Sequence, residues 1–306
     1  MTKKIDKITD LVPPDQRRLD RVVQRLTGAS RRRTQGLFDQ HCVELNGALC
    51  HEPWKWLVEG DEVVVTYDES AHYAKAKRHP KHLGFTIFLE DDHLIVVDKP
   101  AAWLTVPTPK RESNTLVQRV ADYLTQRNRG KPVRVWAVQR LDRGVSGVLV
   151  LAREAEAAST LRQSFASHEP HRQYIAIVAG RMRDDAGEFR SRLASGDDLK
   201  QRSVDDGEGG QMAVTRYRVE RRWDDATLVR VELETGRRNQ IRVHFAEAGH
   251  PILGDLLYGK SPVPNPRWQH KRLALHAEQL DFDHPVTGER LEFSALWPVE
   301  FTEFMQ

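Results

Sequence analysis

The sequence predicts an α+β protein in which a small N-terminal α/β domain precedes a larger domain built on a mixed, largely antiparallel sheet. Three observations predict it. Strand-length runs recur at residues 94–97, 148–152, 213–220, 227–234 and 279–282, all but the last containing β-branched residues. Apolar spacing at i, i+3, i+4 and i+7 marks only a few helices between them. Residues 68–84 are basic, show no apolar period and read as a linker dividing residues 1–67 from 85–306. With 306 residues, 39% of them hydrophobic, the chain can build two cores, ~100–200 residues per domain being usual.

In chain order, a helix is expected from Asp15, with Leu19, Val22, Val23 and Leu26 on one face and Gly28 ending it. Ser30 suits the N-cap of a second helix carrying Arg31, Arg32 and Arg33, packed inward through Leu37 and Phe38. Residues 43–45, a turn at Asn46-Gly47 and residues 62–67 read as short strands. Residues 85–100 open the second domain with an acidic turn and an apolar strand ending in Lys99-Pro100. Helices are expected at 114–124, 155–165 and 239–248, and a strand around Tyr174. Residues 181–212, charged and Gly-rich, read as mobile excursions around a hairpin, and residues 261–270 as an irregular loop.

Composition narrows the function. No apolar run approaches the roughly 18 residues of a membrane span, and the first residues lack the apolar core of a signal peptide, so a cytoplasmic monomer without a membrane partner is expected. Two cysteines, Cys42 and Cys50, make neither a disulfide framework nor a zinc site, and the three histidines of 68–84 have no metal-ligand spacing; neither metal nor cofactor is expected. The net charge of +3 identifies no partner by itself. Its distribution says more: residues 1–34 hold ten Lys or Arg against four Asp, a local excess of six that suits a polyanion, although a solvated helix face is the common alternative.

The stretch from Ala137 to Arg153 sets one carboxylate, Asp142, between Arg140 and Arg143 in a loop feeding the apolar run 148–152. A lone loop Asp is more often a turn residue, so its weight comes from three stretches downstream. Ser146, within Gly144-Val-Ser-Gly147, lacks the spacing of a hydrolase nucleophile and reads as a turn residue.

Arg140-Leu-Asp-Arg143 through Ser146-Gly147, Arg172-Gln-Tyr174, Thr235-Gly-Arg-Arg-Asn-Gln-Ile-Arg242 continuing through Gly249-His-Pro to Asp255 and Tyr258-Gly259, and Leu273-Ala-Leu-His276 with His284-Pro285 stand in the order of the pseudouridine synthases of the RluA family, which the chain resembles over most of its length. The first domain resembles the S-four-like RNA-binding domain through Arg18-Leu-Asp20, Ser30-Arg31 and Leu45-Asn-Gly47, with Cys42 where that family usually has Gly.

The resemblance implies a pseudouridine synthase fold and the isomerisation of specific uridines in structured RNA, ribosomal RNA in preference to transfer RNA, by base flipping and without a cofactor. It assigns catalysis to Asp142, to Tyr174 against the flipped uracil and to Arg242 paired with Asp142. Ile241 would line the base pocket, Arg140 would lie near the extruded base, and Arg143, Arg237, Arg31, Arg32 and Arg33 would hold phosphates. A core aromatic is the competing reading of Tyr174, and solvated surface residues that of Arg143 and Arg237. The chain departs from the family pattern at Gln139, where a His is usual, and at Arg238-Asn239, where Thr-His is usual. A weakly catalytic RNA-binding or RNA-folding protein on the same scaffold is the rival reading.

Overall fold

The computed structural model describes residues 3–8, 18–39, 42–50, 53, 55–58, 60–68, 83–108, 112–196, 200–259 and 265–306. The chain divides into two compact units, Met1–Lys81 and His82–Gln306. Most of the expected linker lies outside the described residues, as does the expected helix start at Asp15.

In the first unit, β1 (Lys3–Ile8), α1 (Leu19–Thr27), α2 (Arg31–Asp39), β2 (Val43–Leu45), β3 (Ala48–Leu49) and β4 (Val63–Asp68) form a four-stranded antiparallel sheet, ordered β1-β4-β2-β3, with two helices. Leu19, Val22 and Val23 meet Leu37 and Phe38 in its core, as their spacing requires. Gly28 closes α1 in the left-handed region at φ +60°, and the Ser30 hydroxyl accepts from the Arg33 amide at 3.3 Å, capping α2. Asn46 and Gly47 both take positive φ in the β2–β3 turn. Strand β1 escapes a periodicity reading because its six residues, Lys-Lys-Ile-Asp-Lys-Ile, are mostly charged.

The second unit contains β5 (Thr86–Glu90), β6 (Leu94–Lys99), α3 (Leu116–Arg127), β7 (Trp136–Ala137), β8 (Ser146–Ala152), α4 (Ala155–Ala166), β9 (His171–Ala179), β10 (Ala186–Ser195), β11 (Gln201–Val204), β12 (Gln211–Arg222), β13 (Ala226–Leu233), α5 (Gln240–Glu247), β14 (Leu275–Asp283), β15 (Arg290–Ser294) and α6 (Val299–Met305). Its eleven strands make one mixed sheet, ordered β11-β10-β12-β13-β9-β14-β8-β6-β5, with β7 beside β8 and β15 beside β14. The pairing of β14 with β8 is parallel, and the others are antiparallel. Every residue of β8 is buried, as its unbroken apolar run demands. Gly147 sits at φ +121°, and a Cβ there would collide with the backbone of Ala277, so glycine is what lets β8 approach β14. The Thr115 hydroxyl caps α3 by accepting from the Gln118 amide.

Residues 181–212 differ from expectation. Instead of excursions they build β10 and β11 and the start of β12, continuing the sheet to its edge. The physical reason is period-two patterning: Phe189, Ser191 and Leu193 turn inward, while Glu188 and Arg190 face out and pair with each other. Among the described residues, no helix is long and apolar enough to cross a membrane.

Candidate active site

Asp142 lies in the loop between β7 and β8. The Thr105 hydroxyl clamps the preceding residue, donating to the Leu141 carbonyl at 2.8 Å and accepting from its amide at 3.1 Å. The Val145 amide then closes a turn onto the Asp142 carbonyl at 3.1 Å, and Leu273 crosses Gly144 so closely that a side chain there would collide. The carboxylate is therefore presented by a loop fixed at both ends, with its side chain 32% exposed.

Arg242, in the first turn of α5, donates from Nη1 to Asp142 Oδ2 at 2.7 Å. Its fork, however, grips a second carboxylate: Nε and Nη2 reach Oδ2 and Oδ1 of Asp255 at 2.7 and 2.9 Å. The Asp255 side chain is fully buried and also accepts from the amides of Leu257 and Tyr258 at 2.9 and 3.2 Å. Burial by itself would lower the Arg242 pKa, but Asp255 and Asp142 outweigh it and hold the guanidinium firmly charged.

Asn239, at φ +55°, precedes α5 in the left-handed region that Asn tolerates. With its amide nitrogen toward Asp142 it donates to Oδ2 and Oδ1 at 2.9 and 3.1 Å, while its carbonyl accepts from the Tyr258 hydroxyl at 2.9 Å. The ring of Tyr258 in turn lies 5.1 Å from the Arg242 guanidinium. Asn in place of the family's usual His thus supplies a donor that does not titrate near neutral pH.

Tyr174 faces the same cleft from β9. Burial raises its pKa, Asp142 adds to that and Arg172 opposes it, so the hydroxyl stays protonated at neutral pH. Lys99, fully buried at the end of β6, donates to the carbonyls of Pro100 and Trp103 at 2.9 and 2.8 Å. Burial pushes its pKa down to about 7 against the pull of Asp142.

The cleft has a volume of about 1400 Å³, and eight of its described lining residues are arginines, while Asp142 is the single carboxylate among them. Such a surface suits a polyanion approaching one acid. It brings together Asp142, Tyr174, Arg242, Arg140, Arg143 and Arg237. Ile241, expected to line a base pocket, is buried at 4% exposure beside the cleft residue Tyr174 in the core. One residue on a helix is ~100° of rotation, so Ile241 and Arg242 leave α5 in different directions, and Ile241 packs with Tyr174 and Phe245. Arg31, Arg32 and Arg33 belong to the first unit. Arg33 is half-buried, its guanidinium 5.9 Å from the Tyr67 ring, and the side chains of Arg31 and Arg32 lie outside the described residues.

Asp255 and Lys99 lie within the sequence motifs but carry no role that the motifs alone assign. Their signals were Asp255 before Leu-Leu-Tyr-Gly and a lysine closing an apolar strand, both legible as buried charge only once partners are in place. Ser146 is sealed, 5% exposed, between His276 Nδ1 at 2.8 Å and Arg272 Nη2 at 2.6 Å, so it is no nucleophile.

Residues 93–247 match the family model described as RNA pseudouridylate synthase. The chain is 35% identical over 293 residues to ribosomal large subunit pseudouridine synthase D of Zymomonas mobilis, an alignment covering 92% of this chain and 90% of that one. It is 31% identical to the protein of the same name from Pasteurella multocida, over 94% of this chain and 90% of that one. An RNA pseudouridine synthase of Bacillus subtilis is 33% identical over 86% of this chain and 89% of its own length. Among solved structures, human RNA pseudouridylate synthase domain containing 4 shares the fold with a TM-score of 0.59 at 24% identity, covering 72% of this chain and 91% of that one.

Proposed function

Since the chain belongs to the RNA pseudouridylate synthase family and is a pseudouridine synthase, we propose that it acts on ribosomal RNA, flips its target uridine from the stack and isomerises it with Asp142 as the catalytic carboxylate. The observation that carries this reading is the one carboxylate in a cationic cleft, tied at 2.7 Å to an arginine that a buried second carboxylate holds in place. The substrate preference follows the names of the relatives, which act on the large ribosomal subunit.

In the reaction the bond from uracil N1 to the sugar C1′ breaks, the base turns, C5 bonds to C1′, the proton on C5 leaves and N1 takes up a proton, with no change in oxidation state. Arg242 and Asn239 orient the Asp142 carboxylate through their hydrogen bonds, leaving it to act as nucleophile on sugar or base, or to take a sugar proton. Tyr174 packs against the extruded uracil, and its hydroxyl serves proton transfer at C5. Arg140 fills the space the base vacates, while Arg143 and Arg237 hold flanking phosphates. Extrusion costs a few kcal/mol, which these contacts offset. The basic helix α2 of the first unit, with Arg31, Arg32 and Arg33, adds a contact to structured RNA.

Release of tritium from ribosomal RNA carrying uridine labelled at C5 tests this. The wild-type protein is expected to release it, whereas Asp142→Asn is expected to release none while binding RNA within about tenfold of wild type, or ~1.4 kcal/mol. Substantial turnover by Asp142→Asn would remove Asp142 from the mechanism. Carbodiimide mapping of ribosomal RNA from cells with and without the gene then identifies the uridine.

A further inference from the structure

One buried cation in the cleft has no role in holding Asp142. Arg172, on β9, is 7% exposed, and among the described residues no carboxylate pairs with it. Its Nη2 makes two long bonds, 3.3 Å each, to the carbonyls of Leu233 and Glu234, and its buried Nε has no partner. A Cβ on Gly236 would collide with Nη1, so the glycine between Thr235 and Arg237 keeps room for the guanidinium at the cleft wall. Two further donors converge there. Arg237 lines the cleft and spends only its Nε, on the Met212 carbonyl at 2.9 Å. His168, past the end of α4 at φ +62°, lines the same cleft as Arg172 and Arg237, and burial together with these two cations lowers its pKa. Glu234, which opposes them at His168, is engaged with Arg216 at 2.6 Å.

The Phe165 ring, 5.9 Å from the Arg172 guanidinium, and the two long carbonyl bonds offset part of the cost of burying it, but they supply no counter-ion, which a ligand anion would provide. We propose that Arg172, Arg237 and His168 form a built seat for one backbone phosphodiester of the RNA, its oxygens taken by the two guanidinium groups and the imidazole N–H. Arginine matches the paired oxygens of a phosphate as lysine does not. The seat lies at the cleft wall formed by β9 and the segment after β13. It rests on the reading of the protein as an RNA-modifying enzyme and fixes where the chain next to the flipped uridine is anchored.

The test uses fluorescein-labelled dodecauridylate and its uncharged methylphosphonate counterpart, with affinities measured against salt concentration. Arg172→Gln and Arg237→Gln are each expected to weaken the charged oligomer about tenfold and to flatten the slope of log affinity against log salt by about 0.7, the value for one single-strand phosphate contact. Both are expected to bind the uncharged oligomer as wild type does. His168→Gln should cost about threefold, and Arg172→Lys should restore the slope without the full affinity. Because one phosphate is shared, the Arg172→Gln, Arg237→Gln double variant should lose less than the product of the single losses. Equal losses on both oligomers, or losses that multiply in full, would overturn the seat. If buried Arg172 variants fail to fold, Arg237→Gln and His168→Gln carry the same comparison. Tritium release from labelled ribosomal RNA by the wild type is run beside it, so failure of the ribosomal reading shows separately from failure of the seat.

Discussion

Two arginines bracket the loop that presents Asp142, and they behave oppositely. Arg242, at the cleft end, is 11% exposed and donates to two carboxylates through three bonds of 2.7–2.9 Å. Arg272, at the buried end, is 9% exposed and has Ser146 Oγ at 2.6 Å, the Leu273 carbonyl at 3.2 Å and a single carboxylate, Glu300, at 3.5 Å. Burial works against the charge of both. Carboxylates reverse it for Arg242, whereas for Arg272 they do not and the pKa stays lowered. The difference teaches how to tell a working group from a fastening. Ser146 and His276 stand 2.8 Å apart like a nucleophile and its base, yet His276 is 1% exposed and pushed down to about 4 by burial and Arg272. Access, more than pair identity, separates the clusters.

The largest break in this contrast is Arg242→Ala, which strands both Asp142 and the fully buried Asp255. Removing one partner from a buried pair costs ~3–5 kcal/mol. Tritium release is expected to fall to the level of Asp142→Asn and the urea midpoint to drop sharply. Lysine at 242 cannot bridge two carboxylates and should rescue only a small part. Near-normal turnover in the Ala variant would mean that Asn239 alone orients the acid.

At the sealed end the expected signature is in stability. The His276 pKa lies below its ordinary 6.5, so the unfolded chain takes up the proton first; stability present above pH 6.5 is lost as pH falls toward 4, by at most ~3 kcal/mol. His276→Leu should flatten unfolding free energy against pH across that window, and an unchanged slope would show that the imidazole is charged in the fold. Ser146→Ala, leaving Arg272 and His276 each short of a partner, should cost about 1–3 kcal/mol of stability with kcat within a few-fold. A kcat collapse in a stable Ser146→Ala protein would erase the distinction between the clusters. The smallest effect belongs to Tyr258→Phe. It removes the hydroxyl that links Asn239 to the Gln201 amide of β11, accepted at 3.0 Å, and single-turnover rates are expected to fall two- to fivefold, about 0.4–1 kcal/mol.

What was legible in the chain follows from the range of the physics involved. The unbroken run 148–152 announced a doubly buried strand, and Leu19, Val22 and Val23 announced a helix face, because period and burial are local properties. Strands β10 and β11 were missed where arginines and glutamates on the outer face masked the alternation beneath, and β15 and α6 were too short to declare a period. Asp142, Tyr174 and Arg242 stood in recognisable strings, and the fold brings all three to one cleft. That the Arg242 fork points at Asp255 could not be read from spacing, since it depends on the loop after α5 returning beneath its first turn.

The position of β14 governs when the protein becomes competent during its own synthesis. This late strand inserts between β9 and β8 at the middle of the sheet, and its Ala277 is the partner against which Gly147 packs. A ribosome adding ~5–20 residues per second needs about 7–27 s to make the 135 residues that separate Asp142 from Ala277. Throughout that interval β8 has β6 along one side and only the two residues of β7, at Leu151 and Ala152, on the other, and its Ser146–Gly147 end below the loop carrying Asp142 is unpaired there. The cleft is therefore unfinished until this late strand is threaded into the centre of the sheet, a non-local pairing that comes late in folding.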